Sequence, residues 1–112
     1  MHKLLSVLQR RGDLTRQEFL KYWKEKHGPL AMKIVPGLRR YAQNHPADVP
    51  GVESDIDGIA ELWFDDLQAV RNYWAWRQSD AAKPLIEDEK KFSERSKVWV
   101  KLFAEEHVLK EK

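Results

Sequence analysis

The 112-residue chain contains no cysteine. Disulfides, thiol nucleophiles and cysteine-based zinc or iron–sulfur sites are therefore excluded together. Apolar runs never exceed a few residues, too short for a membrane span. Met1-His2-Lys3-Leu4-Leu5 lacks the apolar stretch and small-residue cleavage site of a secretory leader, so a soluble cytoplasmic domain is expected. The five glycines, 12, 28, 37, 51 and 58, stand apart. No glycine-rich phosphate loop and no Gly-x-Ser-x-Gly nucleophile motif is present. Charge of one sign is scarce too, with 20 basic against 18 acidic residues and a net charge of +2. The pairs Arg10-Arg11, Arg39-Arg40 and Lys90-Lys91 are dispersed among acids such as Glu18, Glu25, Asp88 and Glu89. A nucleic-acid partner would call for a concentrated basic stripe. The histidines, at 2, 27, 45 and 107, show neither HExxH nor close paired spacing, and no metal site is expected.

Aromatic residues are what the chain does have: five tryptophans, four phenylalanines and three tyrosines. Such residues supply core volume first and flat-ligand pockets second. The length accommodates a single domain over residues 1–112 with a small core, which a partner subunit would enlarge.

Residues 3–9 read as a strand with apolar groups on both faces, broken by Gly12-Asp13. Thr-Arg-Gln-Glu from Thr15 is a capping box, and Phe19, Leu20, Tyr22 and Trp23 follow at helical spacing. The helix is expected to end near His27-Gly28-Pro29, with a short turn restarting from Leu30 to Ile34. Residues 38–44 read as an edge strand. Residues 45–57, with no apolar period, read as a long exposed loop that is either a surface insertion or a lid. Residues 59–64 read as a strand, and Asp65 with Gln68 offers a helix cap. Leu67, Val70, Tyr73 and Trp74 then form a helical face. A further helical stretch from Ser79-Asp80 to about Phe92 has Leu85, Ile86, Glu89 and Phe92 in register, and residues 98–104 read as a closing strand.

The order β-α-β-β-α-β is the ferredoxin-like arrangement, an α+β fold with an antiparallel sheet and helices on one face only. Alternation gives no polar face for the other side. Ile59, Glu61 and Trp63 oppose Ala60, Leu62 and Phe64, and Trp99, Lys101 and Phe103 oppose Val98, Val100 and Leu102. Leaving Trp63, Trp99 and Phe103 in water would expose an apolar area that monomers rarely carry. A second sheet packed face to face would cover it, so a homodimer with an enclosed space between its two sheets is expected.

Among candidate functional residues, His27 closes the first helix beside Phe19 and Trp23. It reads either as a C-terminal cap favoured by the helix dipole or as an acid–base group at the core's edge. Tyr41 reads as an edge tyrosine or an oxygen-binding hydroxyl, Asn44 as a turn former or site residue, and His45, before Pro46, as loop. Glu61 is either a carboxylate beside His27 or a cross-sheet partner of Lys101. Trp23, Trp63 and Trp99 are core residues or the walls of a site for a planar ligand.

Taken in order, Tyr22-Trp23, His27-Gly28-Pro29-Leu30, Tyr41 with Asn44, and Ile59-Ala60-Glu61-Leu62-Trp63-Phe64-Asp65-Asp66 resemble the EthD family. The likeness runs from the Thr15 cap to Glu106-His107-Val108. It implies a dimeric α/β-barrel, with the family histidine at His27, its tyrosine at Tyr41 and its asparagine at Asn44. On a regular strand Tyr41 and Asn44 point to opposite faces, so sharing one pocket would require a bulge. Members and relatives of that family include cofactor-free isomerases of lactones, dehydratases and cyclases of aromatic polyketides, oxygenases of quinol-type substrates, and accessory proteins with no assigned reaction. The resemblance thus implies a cofactor-free isomerase, dehydratase or lyase acting on a small hydrophobic ring compound. His27 and Tyr41 would be catalytic, and Trp23, Asn44, Glu61, Trp63 and Trp99 would bind substrate. A cofactor-independent monooxygenase and a non-catalytic binding protein are the alternatives.

Overall fold

The computed structural model describes residues 1–94 and 100–112, with Val100 by its backbone alone. The elements run β1 (His2–Leu8), α1 (Arg16–Tyr22), a π turn (Trp23–His27), α2 (Gly28–Ile34), β2 (Arg40–Asn44) and β3 (Gly58–Phe64). They continue with α3 (Leu67–Arg77), a 3₁₀ turn (Asp80–Ala82), α4 (Lys83–Glu89) and β4 (Val100–Glu105). The four strands lie in the order β2-β3-β1-β4, every neighbouring pair antiparallel. This is the ferredoxin-like α+β topology. Among the described residues no helix is long and apolar enough to cross a membrane.

Local chemistry sets the helix starts. The Thr15 hydroxyl accepts from the Glu18 N–H at 3.1 Å while the Glu18 carboxylate accepts from the Thr15 N–H at 2.9 Å, closing the expected capping box. At α3 the cap is Asp66, whose carboxylate accepts from the Ala69 N–H at 2.8 Å. That is one residue later than the Asp65–Gln68 reading.

The first helical rod departs further from expectation. It does not stop at His27-Gly28-Pro29. Gly28 has helical angles (φ −54°, ψ −52°), and its N–H donates to the Trp23 carbonyl five residues back. This widened turn places Pro29 in the opening turn of α2, where its fixed φ suits the helix. His27 therefore sits within a continuous rod and is not a C-terminal cap.

Registers assign the two sheet faces. Leu4, Ser6 and Leu8 of β1 share a face with Ala60, Leu62 and Phe64 of β3, Tyr41 and Gln43 of β2, and Lys101 and Phe103 of β4. The helices cover this side. Leu4, Leu8, Leu62 and Phe64 join Phe19, Trp23, Val70, Tyr73, Leu85 and Phe92 in one buried cluster. Burying each large side chain of this kind stabilises the fold by roughly 1.5–3 kcal/mol.

The uncovered face carries Lys3, Leu5, Val7, Arg40, Ala42, Asn44, Ile59, Glu61, Trp63, Leu102 and Ala104. Trp63 is not bare there. Only 4% of it is exposed, because the Lys3 ammonium lies 4.9 Å from its ring centroid and the Arg40 guanidinium 4.4 Å. Its indole N–H also donates to Glu106 at 3.4 Å. Phe103 belongs to the helix-covered side and meets Trp74 edge-on, with ring centroids 5.4 Å apart. Trp99 and Val98 lie outside the described residues. The apolar character of the open face thus rests on Leu5, Val7, Ile59 and Leu102, and Leu102 is 55% exposed.

The residues between β2 and β3 form an exposed loop, secured at its far end by Asp57. The Asp57 carboxylate is buried and accepts from the Arg10 N–H at 2.8 Å and from Arg16 Nε at 2.9 Å. Arg16 reaches the Ser54 carbonyl as well, at 2.8 Å. These bonds tie the loop's end to the end of β1 and the start of α1.

Candidate active site

The π turn is the element that builds the site. A π turn carries one residue more than an α-helix needs, and such turns recur where side chains must be presented out of helical register. Here it directs His27 toward α4 and Trp23 toward β2 and β3. Gly58 makes the second placement possible: a Cβ there would stand 2.5 and 2.8 Å from the Trp23 ring.

On α4 and the turn after it, Leu85, Asp88, Glu89 and Phe92 follow the i, i+3, i+4, i+7 spacing of a buried stripe, so two acids share a face with two core residues. Asp88 Oδ2 lies 2.8 Å from His27 Nδ1. The Tyr22 hydroxyl donates to Asp88 Oδ1 at 2.6 Å. Burial first, and then Asp88, push the Tyr22 hydroxyl up to about 12, so it remains a donor throughout the neutral range. A carboxylate only accepts, so the neutral imidazole carries its proton on Nδ1 and its lone pair on Nε2. Nε2 has no protein partner among the described residues. The ring packs on Phe92 at 4.8 Å and lines a cavity of about 40 Å³.

Tyr41 and Trp23 line the same cavity. Burial pushes the Tyr41 hydroxyl up, against the opposing pull of hydrogen bonds from Gln43 and Trp23. Glu89 also lines the cavity, but both its oxygens are engaged by Arg77, at 2.6 and 3.0 Å, in a buried bidentate pair. Ser6 and Lys101 line the cavity too, and the remaining walls are largely apolar, with Leu4, Leu62 and Leu85 among them. A space of this size holds two or three waters. A ring-sized molecule enters only if side chains at the rim move. Among the described residues no group of three or more histidines or acids comes together to hold a metal ion.

Of the residues singled out in the sequence, the structure brings together His27, Tyr41 and Trp23. Asn44, Glu61 and Trp63 lie on the opposite face of the sheet. Asn44 donates to the Ile59 carbonyl at 2.9 Å and to Glu61 at 3.1 Å. No bulge interrupts β2, so Asn44 and Tyr41 do not share a pocket. Glu61 stands neither beside His27 nor against Lys101. It pairs with Lys3 at 2.9 Å, because Lys101 falls on the helix-covered side, 3.4 Å from the Ser6 hydroxyl. The carboxylate at His27 is Asp88 instead. Its sequence signal was its phase with Leu85 and Phe92, obscured by the acids on either side. Trp99 lies outside the described residues. Gln43 and His45 were also missed, although they alternate with Tyr41 along the strand.

A single four-stranded ferredoxin-like layer, with a carboxylate-oriented histidine and a partly buried tyrosine beneath its helices, defines an α+β protein with acid–base groups in a largely apolar cavity. The chain belongs to the EthD family: the EthD domain model matches residues 11–96. Among solved structures, an ethyl tert-butyl ether D (EthD) family protein from Bacillus halodurans is 27% identical, with a TM-score of 0.72 over 96% of this chain and 99% of that one. SnoaB from Streptomyces nogalater, a cofactor-independent oxygenase, is 16% identical, with a TM-score of 0.61 over 98% and 97%. A dimeric protein of ferredoxin-like fold from Bacteroides fragilis is 15% identical, with a TM-score of 0.57 over 92% and 91%. No curated protein matches the chain.

Proposed function

We propose that the chain is an enzyme that moves a proton on a small cyclic or aromatic compound without a cofactor, in an isomerase, dehydratase or lyase type of reaction. The observation that carries this reading is the 2.8 Å contact between His27 Nδ1 and Asp88, which leaves Nε2 as the basic nitrogen at an apolar cavity. Nε2 takes a proton from a carbon next to a carbonyl, or from a phenol. The Tyr41 hydroxyl, kept neutral by burial, donates to the enolate or phenolate oxygen as charge develops. The imidazolium formed is stabilised by Asp88, and it returns the proton at a second atom or to a leaving group. Substitution of a positioned acid–base group costs about 10²–10⁴-fold in rate.

Protein-observed NMR with phenols, quinones, lactones and polyketide-like aromatics tests the ligand class, read at His27 and the indole signals. Turnover of any compound that binds is then expected to fall by about a hundredfold or more in His27→Ala, with an unchanged circular dichroism spectrum. Unchanged turnover would remove the catalytic assignment. Binding without product, preserved in His27→Ala, would make the protein a carrier of the same ligand.

The likeness to a cofactor-independent oxygenase favours a second reading. There the same base would deprotonate a quinol-type substrate that then reacts with oxygen. Substrate-dependent oxygen consumption separates the two. We further infer that the open face, with Leu5, Val7, Ile59 and the 55% exposed Leu102, packs on a second copy. Sedimentation at micromolar concentration is expected to give a dimer, which Leu102→Lys weakens; a monomer in the parent protein would sink this reading.

A further inference from the structure

Tyr41, Gln43 and His45 alternate along the chain, and the pleat turns Tyr41 and Gln43 toward the helices. Pro46 favours an extended His45, which carries the alternation one residue past the end of β2. The His45 ring lies flat on Trp23, with centroids 4.9 Å apart and planes 14° from parallel. Its Nε2 is 2.9 Å from Gln43 Oε1. An amide oxygen only accepts, so Nε2 carries the proton and donates. Gln43 Nε2 in turn donates to the Trp23 carbonyl at 2.9 Å and to the Tyr41 oxygen at 2.9 Å. Both ends of the amide are therefore committed, and a flipped amide would set its oxygen against the Trp23 carbonyl, which only accepts. Gly28 leaves the room for this: a Cβ there would stand 3.1 Å from Gln43 Nε2 and 3.3 Å from the Trp23 carbonyl.

We propose that His45 and Gln43 are positioning residues: His45 locks the Gln43 amide, and the locked amide turns the hydroxyl proton of Tyr41 toward the His27 cavity. A phenolic oxygen that accepts from Gln43 keeps its own proton for another direction, and Tyr41 lines the cavity of His27. Among the described residues, Glu89 of α4, bound to Arg77, acts on Tyr41, Lys24 of the π turn acts on His45, and Lys101 of β4 lines the same cavity as Tyr41. Protonating His45 adds a proton at Nδ1 and leaves the Nε2–H donor in place. The lock is thus a fixed support and not a pH switch. What the aimed hydroxyl does to a substrate rests on the acid–base reading above; the aiming does not.

The test installs difluorotyrosine at position 41, which lowers the hydroxyl's pKa into a range where the fold is intact, and follows its ionisation by ¹⁹F NMR. Gln43→Leu removes the donor. His45→Phe keeps the ring on Trp23 but removes the N–H. His45→Gln supplies a replacement N–H. The position-41 pKa is expected to rise by about half to one pH unit in the first two, the size of one lost hydrogen bond, and to stay near the parent value in the third. Should Gln43→Leu not fold, the two His45 variants decide the matter. An identical titration in parent and His45→Phe overturns the proposal, even if the protein turns over a substrate. A shifted titration supports it, even if no substrate is ever turned over, in which case the acid–base reading alone fails.

Discussion

At Asp88 the Tyr22 hydroxyl and the His27 imidazole meet on one carboxylate, and the Lys91 ammonium stands 3.9 Å away at the solvent side. The two donors hold the carboxylate from different directions, so the imidazole is oriented by a group that is itself oriented. Asp88→Asn keeps the shape but puts an N–H where an acceptor is needed. Turnover is expected to fall about ten- to a hundredfold while the unfolding midpoint moves little; a variant as active as the parent would show that Asp88 does not orient the base. His27 and Tyr41 were legible as candidates because their residue types suit the chemistry and their order matches a family. Asp88 was not, because an acid within Glu87-Asp88-Glu89 looks like a solvated face until its phase with Leu85 and Phe92 is followed. Asn44 was named on the family likeness alone; the parity of the strand already set it opposite Tyr41 unless a bulge intervened, and β2 has none.

Among the elements, β3 and α3 were readable almost to the residue, since β3 is a largely apolar run closed by Asp65-Asp66 and Asp66 caps the helix that follows. The rod from Arg16 to Ile34 was not. Gly28-Pro29 is a stop signal for an α-helix, and the period offers no hint that a wider turn will absorb it. The same turn delivers Trp23 to the one strand position without a side chain. Gly58 has ordinary strand geometry, so its requirement is one of space and not of backbone freedom. Gly58→Ala is expected to destabilise the fold by about 1–3 kcal/mol through overpacking, read as a lower urea midpoint with altered Trp23 emission. A midpoint equal to the parent's would mean the indole has another place to go.

Across the whole molecule the two sheet faces have different physics. One is closed by hydrocarbon, the other by Lys3, Glu61, Glu106 and Arg40 around Trp63. Glu106 and Glu61 hold the Lys3 ammonium above its usual value, and Lys3, aided by Asn44, holds the Glu61 carboxyl below its usual value. For Glu61 the stabilisation is complete above its unfolded value of 4.5 and is lost as the pH falls through its lower folded value. For Lys3 it is complete below 10.5 and is lost as the pH climbs through its higher folded value. Urea midpoints are therefore expected to form a plateau between these limits with a shoulder on each side. Lys3→Met should flatten both shoulders, and shoulders that survive in that variant would assign them to other groups. Another consequence follows from the Asp57 anchor. Its N–H donates to the Leu8 carbonyl at 3.0 Å, and its carboxylate grips the backbone of Arg10 and the side chain of Arg16. Additions or deletions upstream, between residues 46 and 53, can thus be taken up as slack before they reach the anchor. Over generations that stretch is free to lengthen, shorten or change its chemistry, while the strand beyond it keeps its phase and the indole keeps its seat.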